Sequence, residues 1–227
     1  MRDSRALRDE AEQKAKQADN LEQAALMTAL SAGEDAEFGN PAKARQEALA
    51  ALAITSSRDV MIASAVAFAQ AGDVAHAQKL ADELNRRFPA DTIIQNYWLP
   101  TIGALMALQR NDPQQAITLL QAALPYEISD QGYWALYPPY VRGKAYLHAQ
   151  HGDLAVAEFE KLRKHRGIVK NSPIGPLALL QTARAQVLVA DVSSARVSYQ
   201  DFLNLWKSPD PEIPVYQQAK AEYAKLQ

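Results

Sequence analysis

The chain has 227 residues, of which 48% are hydrophobic, 9 are Gly and none is Cys. That is enough for one large domain or a short repeat array, and it excludes disulfides, thiolate metal sites and cysteine nucleophiles. The formal net charge is −2, without the basic excess or basic stripe that nucleic-acid binding uses, and no apolar run approaches the ~20 residues of a membrane span.

Met1-Arg2-Asp3-Ser4-Arg5 leads into a charged helix and lacks the pattern of a signal peptide. Over residues 5–19, Ala11, Ala15 and Ala18 recur at offsets of 4 and 7, one face of a helix. The same face returns five times downstream, each time with a small residue twelve positions before it. Ala32 precedes Ala44, Ala48 and Ala51; Ala65 precedes Ala77, Ala81 and Leu84; Ala104 precedes Ala116, Leu120 and Ala123. Gly143 precedes Ala155, Phe159 and Leu162, and Ala183 precedes Ala195, Tyr199 and Phe202. An offset of 12 crosses a turn, so each set predicts two antiparallel helices whose backbones approach at small side chains. The second-helix alanines lie 33, 39, 39 and 40 residues apart, a period that signals stacked supersecondary units. The units fall near 25–57, 58–95, 97–130, 136–170 and 176–207.

Turns inside the units are expected at Gly39-Asn40-Pro41, Gly72-Asp73, Asn111-Asp112-Pro113, Gly152-Asp153 and Ala190-Asp191, with Asp191 as an N-cap. Longer links hold Arg87 to Asp91, the aromatic-rich stretch Pro125 to Pro139, and Arg166 to Pro176. A final helix over 213–227 buries Val215, Ala219, Tyr223 and Leu226 and turns Gln217, Gln218, Lys220, Glu222 and Lys225 outward, as a cap requires. With residues 5–19 reading as a second helix that lacks its first, the chain is expected to be the C-terminal part of a longer protein. The fold expected is all-α: a single domain over 1–227, a right-handed α-solenoid of about five helix-turn-helix units, an extra N-terminal helix and a C-terminal capping helix.

Ala65, Phe68, Gly72-Asp73, Ala77, Ala81, Leu84 and Pro89 fall at the spacing of a tetratricopeptide repeat, which the stretch Ala63 to Pro89 closely resembles. The other units match more loosely; none has that family's early Trp, and their links are longer. A resemblance over nearly the whole chain rests on Phe38-Gly39-Asn40, Tyr140-Val141-Arg142-Gly143, His165-Arg166-Gly167-Ile168-Val169, Asn171-Ser172-Pro173-Ile174-Gly175 and the ending Ala219 to Gln227. These look like the C-terminal repeat region of bacterial multidomain regulators, chiefly eukaryotic-like serine/threonine protein kinases; some relatives carry a winged-helix DNA-binding domain instead. The resemblance implies a regulatory or scaffolding module. In kinases of this type a membrane helix often separates kinase and repeats, which would place this region outside the cytoplasm.

No catalytic constellation is legible. There is no glycine-rich phosphate loop and no Asp-Phe-Gly, and His165-Arg166-Gly167 has Gly where a kinase catalytic base stands. His148 and His151 could share a metal, but no third ligand is evident, so no catalytic residue, cofactor or metal is expected. The partner expected is a protein or peptide, with no nucleic acid bound directly. If tetratricopeptide geometry holds, the concave groove is lined by the first helices, with Trp98, Thr101, Tyr137, Tyr140, Lys144 and Arg184 among its positions. Aromatic anchors beside an Arg are typical interface residues, and Lys144 and Arg184 suit a carboxylate or phosphate. The alternative for Trp98, Tyr137 and Tyr140 is packing beneath the long links, and the alternative for the whole is self-association. Tyr199, Phe202 and Trp206 read as core.

Overall fold

The computed structural model describes residues 10, 13–15, 17–128, 134–206 and 213–226. All regular structure in them is helical and no strand occurs among the described residues, so the chain is all-α. None of the described helices is long and apolar enough to cross a membrane. Contacts divide the chain between Ile102 and Gly103 into two compact units, and from Val215 onward the closing helix belongs with the second.

The first unit contains α1 (Leu21–Glu37), α2 (Pro41–Ile54), α3 (Arg58–Gln70) and α4 (Val74–Arg87). Helix α1 packs on α2 and α3, α2 on α3, and α3 on α4. Small side chains make this possible: Ala25 and Ala29 of α1, Ala51 of α2, and Val60 and Ala63 of α3 share one core, with Leu26, Leu30, Leu52 and Ile54 around it. Arg45 of α2 donates to the Ala71 carbonyl at the end of α3 at 2.9 Å. Asp91 caps the following segment by accepting from the Ile93 and Ile94 amides at 3.0 Å, and it also holds Arg58 at 3.0 Å. There the chain makes a π turn, Ile94–Trp98, and runs into α5 (Leu99–Gln109). Pro100 accounts for the turn: it has no N–H to offer the preceding turn, so the ladder widens and Leu99 reaches back to the Ile94 carbonyl.

In the second unit α6 (Pro113–Leu119) tightens into a 3-10 segment, Leu120–Tyr126. Then come α7 (Tyr137–His148), α8 (Gly152–Lys164), the short α9 (Arg166–Val169), α10 (Ile174–Leu188), α11 (Val192–Asn204) and α12 (Pro214–Ala224). Helix α7 packs on α8 and α10, α8 on α10, and α10 on α11, the same contact order as in the first unit. Gly143 of α7 is fitted to this packing, because a Cβ there would lie 2.5 Å from the Phe159 ring of α8.

Among the described residues one turn is seen in full at five places. Gly39, Gly72, Asn111, Gln150 and Ala190 all have positive φ, between 58° and 90°. The amide of each bonds the carbonyl three residues back, and the next amide bonds the carbonyl five back: Asn40 to Asp35, Asp73 to Phe68, Asp112 to Ala107, His151 to Tyr146 and Asp191 to Gln186. This is the Schellman pattern, which satisfies carbonyls that a helix end leaves open. Five residues beyond each positive-φ residue stands one of the fully buried alanines 44, 77, 116, 155 and 195. Asp73, Asp112 and Asp191 cap the next helix through their side chains, Asp191 as expected.

The fourth turn departs from expectation. Its left-handed residue is Gln150, and Gly152 is the first residue of α8. Gly152 answers to packing, since a Cβ would meet Val189 Cγ1 at 2.5 Å and the Ala185 carbonyl oxygen at 2.9 Å. At Ala190, by contrast, a Cβ is carried in a conformation that disfavours it by about 1–2 kcal/mol, against an entropic cost of about 0.5–1 kcal/mol for Gly. Ala190→Gly is therefore expected to stabilise the chain by about 0.5–1 kcal/mol, read as a higher urea midpoint at unchanged slope; a lower midpoint would contradict the conformational account.

At the N-terminus the helix expected over 5–19 falls largely outside the described residues, Ala11 included; Ala15 is buried and Ala18 is exposed. In the closing helix Val215 and Ala219 are buried and Tyr223 and Leu226 half-buried. Gln217, Gln218, Lys220 and Lys225 are exposed as expected, but Glu222 is half-buried and faces inward. Tyr199 and Phe202 are core, whereas Trp206 is only half-buried, its ring 5.8 Å from Phe202 and 5.6 Å from Tyr216.

Candidate functional site

Trp98 and Thr101 lie in the first unit, at the π turn and the start of α5. Trp98 is buried with its ring edge-on to Tyr97 at 4.8 Å, and the fully buried Thr101 hydroxyl donates to the Tyr97 carbonyl at 2.5 Å. The other four expected groove residues lie in the second unit. Tyr137 and Tyr140 of α7 stack with ring centroids 5.8 Å apart, and neither has any exposed surface. Trp134 closes on Tyr137 at 4.9 Å and Phe159 on Tyr140 at 6.1 Å. Between partner anchoring and packing beneath a link, these two tyrosines are placed for packing. Lys144, one turn on and half-buried, sets its ammonium 5.4 Å from the Tyr140 ring centroid, in cation–π range.

Arg184 of α10 is within electrostatic reach of Tyr140 but holds a carboxylate already. Its Nε and Nη2 donate to the two oxygens of Glu222 on α12 at 2.9 and 2.8 Å, the fork geometry that guanidinium favours. Tyr199 of α11 donates to the same carboxylate at 2.8 Å. Burial pushes the Tyr199 phenol far up, and Glu222 adds to it, so the hydroxyl stays a donor. Burial pushes the Glu222 carboxyl up, but the Arg184 guanidinium and the Tyr199 hydroxyl more than reverse this and hold it below its ordinary value.

The sign of the pH effect follows. A carboxyl whose pKa is lowered on folding contributes stability above its unfolded value, about 4.3, and loses it as pH falls through the lower folded value. The melting temperature is thus expected to fall as pH drops below about 4.5, and Glu222→Gln to flatten that part of the profile while lowering stability at neutral pH. A profile with the same slope in both proteins would remove Glu222 from the acid transition.

Sequence reasoning missed the most deeply buried charge in the second unit. Arg142 of α7 is 1% exposed. Its Nη2 pairs with Glu127, at the end of the 3-10 segment, and with Glu158 of α8 at 2.7 Å, while Nη1 reaches the Leu120 carbonyl at 3.3 Å. Lys161 completes the group, 3.2 Å from Glu127 and 3.0 Å from Glu158. Burial favours the neutral form of Arg142, but the hydrogen bonds and charges of Glu158 and Glu127 outweigh it and raise the pKa. Two cations meet two carboxylates, and each carboxylate oxygen has a donor. A group so satisfied ties the end of the 3-10 segment to α7 and α8. The available sign was the pair Glu158 and Lys161 at i and i+3 on a face carrying Phe159 and Leu162.

Among the described residues no group of three or more His, Asp or Glu side chains is placed to hold a metal ion. Comparison with family models, with curated proteins and with solved structures finds no match.

Proposed function

We propose that this chain is a non-catalytic protein-interaction module, a tetratricopeptide-like solenoid of about five helix pairs that takes an extended acidic peptide along the face formed by the first helix of each pair. The observation that carries this reading is the turn repeated five times at a constant offset from a buried alanine. It is supported by the contact order within each unit, where a first helix touches its own second helix and the next first helix, as stacked helix pairs do. On that face Lys144 is half-buried and presents an ammonium. Arg184 is already bound by Glu222, so a peptide carboxylate reaching it has to displace that side chain. Lys144, with its ammonium against the Tyr140 ring, and Arg184 are the two cations that the reading gives to that face. From the resemblance of its sequence blocks, the module belongs at the C-terminus of a bacterial signalling protein, with a kinase as the parent.

The test is selection of short random peptides on the immobilised full chain. Enrichment of acidic sequences is expected, with binding weakened about tenfold by Lys144→Glu and unchanged by Lys220→Glu on the exposed face of α12. No enrichment, or equal loss in both variants, overturns the reading.

A further inference from the structure

A second place in the molecule carries the features of a ligand site, apart from the first-helix face. The C-terminal part of α8, the short α9, and helices α10 and α11 line an open cleft of about 450 Å³, within the range of small-molecule sites. Its lining is largely apolar: Phe159, Leu162, Val169 and Ala178 are buried beneath it, and Pro176, Leu179 and Leu205 present apolar surface. Its edge is cationic, with Arg163, Arg166 and Lys170 contributing to the lining. They belong to a stretch, 161–170, in which five of ten residues are Lys or Arg and none is Asp or Glu.

The charges there are unevenly matched. Arg163 is committed to Glu160 through two bonds of 2.8 and 2.7 Å. Asp201 is the remaining carboxylate of the lining. The exposed Arg166 side chain has no hydrogen bond or ion pair among the described residues. Lys170, at the edge, has φ 52° and ψ −128°, a conformation that L side chains rarely adopt. An apolar lining beside an arginine fork without a carboxylate is complementary to a molecule with an apolar body and an anionic end.

We propose that this cleft binds a small amphipathic anion, a carboxylate with an apolar chain. The chain lies against the apolar lining, Leu179 and Leu205 included, and the carboxylate lies at Arg166. Binding needs both parts, because an apolar tail alone leaves the Arg166 fork without a carboxylate and a bare carboxylate leaves the apolar surface of Leu179 and Leu205 in water.

The test is calorimetric titration of the full chain with decanoate below its micellar concentration, beside decanol and acetate. Saturable one-site binding of decanoate is expected, with decanol and acetate at least about tenfold weaker. Arg166→Glu, an exposed change, is expected to weaken decanoate at least about tenfold. Arg86→Glu, the same change in the first unit, leaves it unaltered. Circular dichroism of each variant checks the fold. Absence of saturable decanoate binding, equal binding by Arg166→Glu, or equal loss in both variants overturns the proposal. Decanol binding as tightly as decanoate reduces the cleft to a nonspecific apolar surface and overturns it too.

Discussion

Arg142→Ala is expected to destabilise the chain by about 3–5 kcal/mol, a large part of the 5–15 kcal/mol that holds a typical protein folded. The guanidinium is almost fully buried, and so are the carboxylates it joins: the Glu127 side chain is 7% exposed and that of Glu158 11%. Without Arg142 the two carboxylates share Lys161 alone, which is 37% exposed and supplies one charge to two. The loss is then the cost of a buried, unmatched carboxylate, which exceeds the net worth of the bonds removed. The control is replacement of the group together, Arg142→Met with Glu127→Gln and Glu158→Gln, which removes the unmatched charge and is expected to recover part of the loss. Urea unfolding checks both. A loss under about 1 kcal/mol for Arg142→Ala would mean that water reaches the carboxylates and that the box is no tie.

The backbone of the helix pairs was legible because it rests on a small set of rules that act locally. A buried alanine five residues after a left-handed turn is a constraint of close approach, and small residues satisfy it wherever it occurs. The residue in the turn is less constrained, which is why Gly, Gly, Asn, Gln and Ala all serve. Reading glycines as turn residues therefore succeeded at Gly39 and Gly72 and failed at Gly152, where the requirement is space beside Val189 and Ala185. Composition cannot tell these two uses of glycine apart. The π turn before Pro100 was equally hidden, since the helical pattern continues through it.

The charged groups were far less legible, and for one reason. Each joins residues distant in sequence: Glu127 with Arg142 and Glu158, and Arg184 with Glu222 across 38 positions. Helical spacing tells which face of one helix is apolar but not which charge on another helix meets it. Glu222 reads as outward because it belongs with the polar residues that a closing helix turns to solvent; the guanidinium of Arg184 draws it inward. Averaging had the same effect on the basic stretch 161–170, which vanishes into a net charge of −2. Its cations divide among the buried box, the Glu160 pair and the edge of the cleft only once α8 and α9 are folded.

Tyr140 is where the two readings of the first-helix face separate, and Tyr140→Ala is expected to cost about 3–5 kcal/mol of folding stability. The ring has no exposed surface and touches Tyr137, Phe159 and the Lys144 ammonium. Truncation leaves a cavity in the contact between α7 and α8 that Gly143, pressed against the same Phe159 ring, has no side chain to fill. Tyr140→Phe keeps the ring and is expected to lose about 1 kcal/mol, and Lys144→Ala about 0.5–1 kcal/mol from the cation–π contact. The order Tyr140→Ala, then Tyr140→Phe and Lys144→Ala, is what packing dictates, and urea midpoints at constant slope measure it. If Tyr140 were a partner anchor, its truncation would leave the midpoint near that of the parent and abolish capture of the selected acidic peptide. The opposite pattern, lost stability with peptide affinity retained in whatever fraction stays folded, assigns the tyrosine to the scaffold and leaves recognition to the charges above it.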